Sequence, residues 1–385
     1  MPSAEDARLR VTPAPVAGPR VWRTNVLLFL ATLASMLFTS FDKHEQPRVA
    51  LLHSVQFTGS LIAILLAHEF GHYIAARIHK VDASLPYFLP MPLVSPFGTM
   101  GAVIRMRSAI PTRRALLDIG ASGPLAGLVL AIPLYAWGVA HSEVKPVGGD
   151  GGHYIQMGSS LLGRALEWAF APPVPEGSDL FLHPVAFAAW AGLFVTMINL
   201  LPVGQLDAGH VAYALLGPRQ NRVAQWVHRS MLAFFFVSLA SYVARDLRAG
   251  LGLYQLGRNV NNSLFWLVWF EVLAVLGTFS APRDRARDGV EAQLGVRIRV
   301  FATLGLALLA AVFQDRTSPL LWGTWFVGLG VLLSMELRWG ALRGSSTLLD
   351  HPPTGAQPLG VGRAIVAIVT LAFFLLLFMP TPLSL

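Results

Sequence analysis

The chain has no cysteine. Thiol nucleophiles, thiolate metal ligands and disulfides are excluded together, so any zinc-type site must be built from histidine and carboxylate. Charge is scarce too. Only 13% of residues are Asp, Glu, Lys or Arg, about half the share in soluble domains. With 54% hydrophobic residues, the chain reads as an integral membrane protein, and counting soluble domains by length does not apply. No basic stripe with interleaved aromatics is present, so the net charge of +8 does not point to nucleic acid. The basic residues instead form short clusters between apolar runs, the pattern of cytoplasmic loops.

The apolar runs lie at 22–41, 51–78, 115–140, 184–203, 228–244, 262–280, 300–313, 320–337 and 364–379. Most approach the ~20 residues that cross a bilayer. The expected fold is therefore an all-α polytopic membrane protein with about nine transmembrane helices. Residues 1–24 (Arg8, Arg10, Arg20, Arg23) read as a disordered basic cytoplasmic tail, followed by a retained signal anchor rather than a cleaved signal peptide. Lys80, Arg105, Arg107, Arg113 and Arg114 place the loop after the second span inside. The acidic loop 141–183 falls outside, and the Arg-rich stretch 281–299 returns inside. Nine spans with the N-terminus in fit these positions, Arg245, Arg248 and Arg258 being a mild misfit.

Within the second run stands HEFGH, His68 to His72. Histidines four apart lie on one face of a helix, about 6 Å along it, and can reach one ion. Glu69 stands beside them, where it can take a proton from a water on that ion. Histidine and glutamate at bilayer depth are costly, and their default reading is functional. A catalytic zinc needs a third protein ligand and an open position. The second and fourth runs both travel from outside to inside, so HEFGH and the LDAGH stretch after the fourth run fall at one depth. That makes Asp207 the expected third ligand. Pro202 and Gly204 break the chain before it, which a membrane tolerates only where protein or water satisfies the freed backbone. Asn199 could hold a substrate carbonyl or make an interhelical hydrogen bond. His210 could support the ligands, add a fourth, or stand in solvent.

Between the second and third runs, Gly98, Thr99 and Gly101 separate apolar stretches. This reads as a small hairpin or re-entrant strand on the cytoplasmic side near the metal, a candidate clamp for unfolded substrate by strand addition, or else a packed amphipathic loop. Gly123 and Gly127, four apart in GPLAG, read as a close helix-packing surface.

HEFGH, GPLAG and LDAGH in this order resemble the site-2 protease family, intramembrane zinc metalloproteases of peptidase family M50. The FGTMGAVIRMRS stretch and the tail HPPTGAQPLG…FMPTP are similar to its bacterial and plastid-type branch without a PDZ domain. The resemblance implies Zn²⁺ held by His68, His72 and Asp207, Glu69 as the residue that activates water, and Asn199 near the substrate. It implies a membrane core at 25–217 with an extracytoplasmic loop at 141–183, and accessory transmembrane helices at 218–385. It further implies regulated cleavage of transmembrane protein substrates in the bilayer, in a bacterial inner membrane with the site toward the cytoplasm, as monomer or oligomer. Two departures stand out. The family's Asp-Gly is Asp207-Ala208-Gly209 here, and Gly127 stands where other branches have Asn.

Other readings are a non-catalytic scaffold that binds membrane proteins, against which HEFGH argues, and a zinc transporter, which should show repeated halves. Glu271 lies inside an apolar run and needs a partner that the sequence does not name. Glu336 and Arg338, at the end of a run, read as interfacial.

Overall fold

The computed structural model describes residues 21–146, 156–280, 294–344, 346–355 and 357–384. Residues 1–20 of the tail expected at 1–24, and residues 281–293 of the Arg-rich stretch, lie outside them, whereas residues 21–24 are not tail but the start of the first helix. Most of the described chain is helical. In order it forms α1 (Val21–Ser40), α2 (Pro47–Ile78), β1 (Tyr87–Pro90), β2 (Thr99–Val103), α3 (Arg113–Ala140), β3 (Glu143–Pro146), β4 (Gln156–Met157), α4 (Leu161–Phe170), β5 (Ser178–Phe181) and α5 (Pro184–Asn199). There follow α6 (Asp207–Leu216), α7 (Gln220–Arg248), α8 (Leu256–Ser280), α9 (Val296–Val312), α10 (Pro319–Trp339), α11 (Val361–Leu377) and β6 (Leu383–Ser384).

Among the described residues, six helical stretches are long and apolar enough to cross a membrane: 22–40, 47–78, 113–140, 207–248, 256–279 and 319–339. Three of the nine expected spans fall short of that measure. They are α5 with 16 residues, α9 with 17 and α11 with 17. At 1.5 Å per residue such helices cover about 25 Å, less than a ~30 Å hydrocarbon core. For α5 the reason is local. The chain leaves the helix at Leu200, and Pro202 and Gly204 (φ 55°) carry it through a turn into α6.

Helices α2, α3, α5 and α6 pack together, with α3 in the middle. Its glycines set the spacing. A side chain at Gly120 would strike His210 and the Asp207 carbonyl, one at Gly123 would strike the His72 ring, and one at Gly127 would press on His68. From the other side, a side chain at Gly71 of α2 would lie 2.5 Å from the Ser122 carbonyl. The helix axes can approach this closely only because these positions carry no Cβ. Strands β1 and β2 pair antiparallel, Tyr87 opposite Val103 and Pro90 opposite Thr99, and Asn25 of α1 donates to the Leu85 and Pro86 carbonyls. Outside the core, β3 pairs with β5 and β4 with β6.

The second half of the chain corrects two expectations. Glu336 is not interfacial: it is fully buried and lies 2.7 Å from Arg299 Nη1. The partner that Glu271 requires is the same guanidinium, at 3.7 Å. Arg299 belongs to α9, and its Nε donates to the Leu294 carbonyl. Its place in an Arg-rich stretch made it read as a loop residue. Burial beside two carboxylates gives this one guanidinium internal partners that composition alone does not display.

A candidate metal centre between α2 and α6

The C-terminal third of α2 carries the histidines. His68, Glu69 and His72 are 4%, 5% and 7% exposed. Both imidazoles turn their Nε2 atoms toward the start of α6. His68 Nε2 lies 3.1 Å from Asp207 Oδ2, His72 Nε2 lies 3.2 Å from Asp207 Oδ1, and the two Nε2 atoms are 3.2 Å apart. Among the described residues this is the one group of three such side chains whose donor atoms could hold an ion.

The chemistry of the donors fits a small divalent cation better than a hydrogen-bonded cluster. His72 Nδ1 lies 2.7 Å from the Ile119 carbonyl, which can only accept, so Nδ1 carries the proton. In the neutral ring Nε2 is then a lone pair, and it faces another imidazole nitrogen and a carboxylate oxygen. With His68 Nε2 unprotonated as well, three electron-rich atoms point at one another, an arrangement that a cation between them satisfies. Bond lengths of ~2.0–2.1 Å in a tetrahedral site put neighbouring ligand atoms about 3.3 Å apart, close to the separations here. The Ile119 carbonyl also fixes the ring's tautomer and orientation, the usual duty of a ligand histidine's second nitrogen.

Asp207 is the first residue of α6, where the helix dipole favours a carboxylate. It is held there by an irregular turn in which Leu206 N–H donates to the Val203 carbonyl and His210 N–H to the Leu206 carbonyl. Asn199, the last residue of α5, places Nδ2 3.3 Å from His68 Nε2. His210 does not meet the imidazoles of α2; its Nδ1 lies 2.8 Å from His351 Nε2. Gly98, at the end of the β1–β2 turn, and Thr99 and Gly101, in β2, are buried. Their contacts are with the hairpin and α1: Ser35 Oγ donates to the Gly98 carbonyl at 2.5 Å, and Thr99 Oγ1 donates to the Leu89 carbonyl. A cavity of about 210 Å³ lies beside the Asp207 turn, between Val203–Leu206, Leu273, Leu276 and Leu348–Asp350.

Three contributors escaped the sequence reading. The Ile119 carbonyl has no side-chain signal at all. The α3 glycines read as packing positions, and packing is what they do, but the surface they pack against is the ligand set. His351 stands in HPPTG, far from either motif. Its ring stacks on Tyr213 at 4.2 Å, and burial pushes it down to about 4, against the opposing effect of its bond to the Pro352 carbonyl.

His68, His72 and Asp207 on buried helices form a candidate site for a metal ion. Residues 56–238 match the model of peptidase family M50. It is 32% identical over 188 residues to the probable zinc metalloprotease EGY1, chloroplastic, of Arabidopsis thaliana, covering 47% of this chain and 34% of that protein. Identity to the EGY2 protein of the same plant is 30% over 187 residues, 48% of this chain and 32% of the relative. EGY1 of Oryza sativa subsp. japonica is 34% identical over 161 residues, 41% of this chain and 27% of the relative. The chain thus spans about a third of the length of these curated relatives. Their names place them in the chloroplast, which lends no support to a bacterial inner membrane. No solved structure matches.

Proposed function

We propose that the chain is a zinc endopeptidase embedded in a membrane, hydrolysing peptide bonds in or near transmembrane segments of other membrane proteins. The observation that carries this reading is the mutual approach of His68, His72 and Asp207 at 3.1–3.2 Å. Glu69 is buried on the same turn of α2. Zinc, when bound, supplies Lewis-acid polarisation and makes water at its open position more acidic.

The protein's own residues do the rest. The His72 ring is held by Ile119, so the ligand set is preformed. Glu69 takes a proton from the attacking water as its oxygen bonds to the scissile carbonyl carbon. It hands that proton to the amine nitrogen as the C–N bond breaks. Asn199, beside His68, is placed to orient a substrate carbonyl through Nδ2. The β1–β2 hairpin with Gly98, Thr99 and Gly101 offers a strand edge to an unwound substrate segment. The apolar cavity beside the Asp207 turn can take an apolar substrate side chain. The core at 25–217 performs the chemistry, the helices from 218 onward are accessory, and the site faces the cytoplasmic half of the bilayer. This is the arrangement that regulated intramembrane proteolysis needs.

Glu69→Gln keeps the size of the side chain and removes the base. Cleavage of a co-expressed membrane substrate should fall about a thousandfold, while purified protein still retains zinc. Cleavage by Glu69→Gln at the wild-type rate overturns the reading.

A further inference from the structure

Helix α6 has only ten residues, and no side chain caps its N-terminus. Isolated helices of this length are marginal, yet its first residue must present a carboxylate to two imidazoles. Something has to fix the helix. One fixture is α3, whose Gly120 lets His210 and the Asp207 backbone lie against it, and whose Arg113 donates to the Tyr213 carbonyl at 3.2 Å. The other is His351, from the segment between α10 and α11, beyond the 56–238 family match.

The hydrogen-bond directions around His351 are determined. Its Nδ1 lies 2.7 Å from the Pro352 carbonyl and must donate. Its Nε2 is therefore the acceptor, and His210 Nδ1, at 2.8 Å, is the donor. The His351 backbone N–H donates to Asn221 Oδ1 at the start of α7, and its ring lies on Tyr213 of α6. One buried side chain thus grips α6 at two places, one turn and two turns after Asp207, and is itself anchored to α7. His210 Nδ1 is thereby taken up by this anchor.

We propose that His351 is a positioning residue for the metal: by accepting from His210 it fixes α6 so that Asp207 meets His68 and His72. The proposal rests on the reading of those three side chains as ligands. It concerns a distal contact, so its failure leaves that reading untouched.

The test is zinc affinity of the purified full chain in detergent micelles, measured by competition with a chelator. His351→Phe keeps a ring on Tyr213 and removes the acceptor; its affinity should fall about tenfold or more, the range for lost support behind a ligand. His351→Gln, whose side-chain oxygen can accept from His210, should stay within about threefold of wild type. His210→Phe should match His351→Phe, and the double variant should be no weaker than either single, as for residues that act as one unit. Wild-type affinity in folded His351→Phe overturns the proposal, as do losses that multiply in the double variant. If His351→Phe does not fold, Asn221→Ala asks the same question by loosening the anchor, and unchanged affinity there overturns it equally. A wild-type chain that binds no zinc sinks the ligand reading first and this proposal with it.

Discussion

Both halves of the molecule bury ionisable side chains between apolar helices, and they neutralise them differently. Around α2 and α6, two imidazoles and a carboxylate bring their lone pairs to 3.1–3.2 Å, and no Lys or Arg stands among these three. Around α8, α9 and α10, Glu271 and Glu336 meet Arg299, which is fully buried. The second cluster carries its own cation; the first needs one from outside. A buried group of charges that includes its counter-charge holds helices together. A buried group of donors that lacks one is arranged for a ligand.

The largest effects should separate the two clusters cleanly. Asp207→Ala should strip zinc from the purified protein while leaving its thermal stability in chelator nearly unchanged. Arg299→Met should do the reverse. It leaves two carboxyl groups buried without their guanidinium, a change that costs about 3–5 kcal/mol and appears as a lowered melting temperature, with zinc content intact. Loss of zinc in Arg299→Met would mean that the two halves are one functional unit.

How far the sequence displayed these clusters follows from what each is made of. His68, Glu69 and His72 share one helical turn, so their spacing announces them. Asp207 is distant in the chain, but the direction of the spans puts it at the same depth. Arg299, Glu271 and Glu336 come from three helices with no fixed spacing, and Arg299 sits beside other arginines that mark a loop. Nothing local distinguishes the buried guanidinium from its solvated neighbours. The hydropathy of α5, α9 and α11 was legible, but not where their helices end; at α5, Pro202 and Gly204 act on length rather than on composition. His351 was illegible for a further reason: its partner His210 looked like a neighbour of the metal.

The glycines sharpen the comparison at one more level. Gly123 leaves room for the His72 ring, and Gly340, after α10, leaves room for the Glu336 carboxylate. Gly123→Ala pushes a ligand ring off its position, so zinc affinity should drop about 10- to 100-fold with a modest change in melting temperature. Gly340→Ala displaces a structural ion pair and should lower the melting temperature with zinc affinity unchanged. If Gly123→Ala binds zinc as tightly as wild type, the ring tolerates movement and the preformed geometry is not what holds the ion.

The smallest effect tests the seam between the two regions, where His351 of the second half docks on α6 of the first. Burial holds its folded-state pKa at about 4, below the ~6.5 of an unfolded chain. The neutral ring is the one the fold accepts, so the stability tied to it is fully present above about pH 6.5 and is lost progressively as pH falls toward 4, about 3 kcal/mol at most. Melting temperature in chelator, which keeps the metal out of the measurement, should therefore decline over that window. His351→Gln has no proton to gain and should flatten the decline. An identical decline in both proteins would assign it to other groups and leave the seam indifferent to pH.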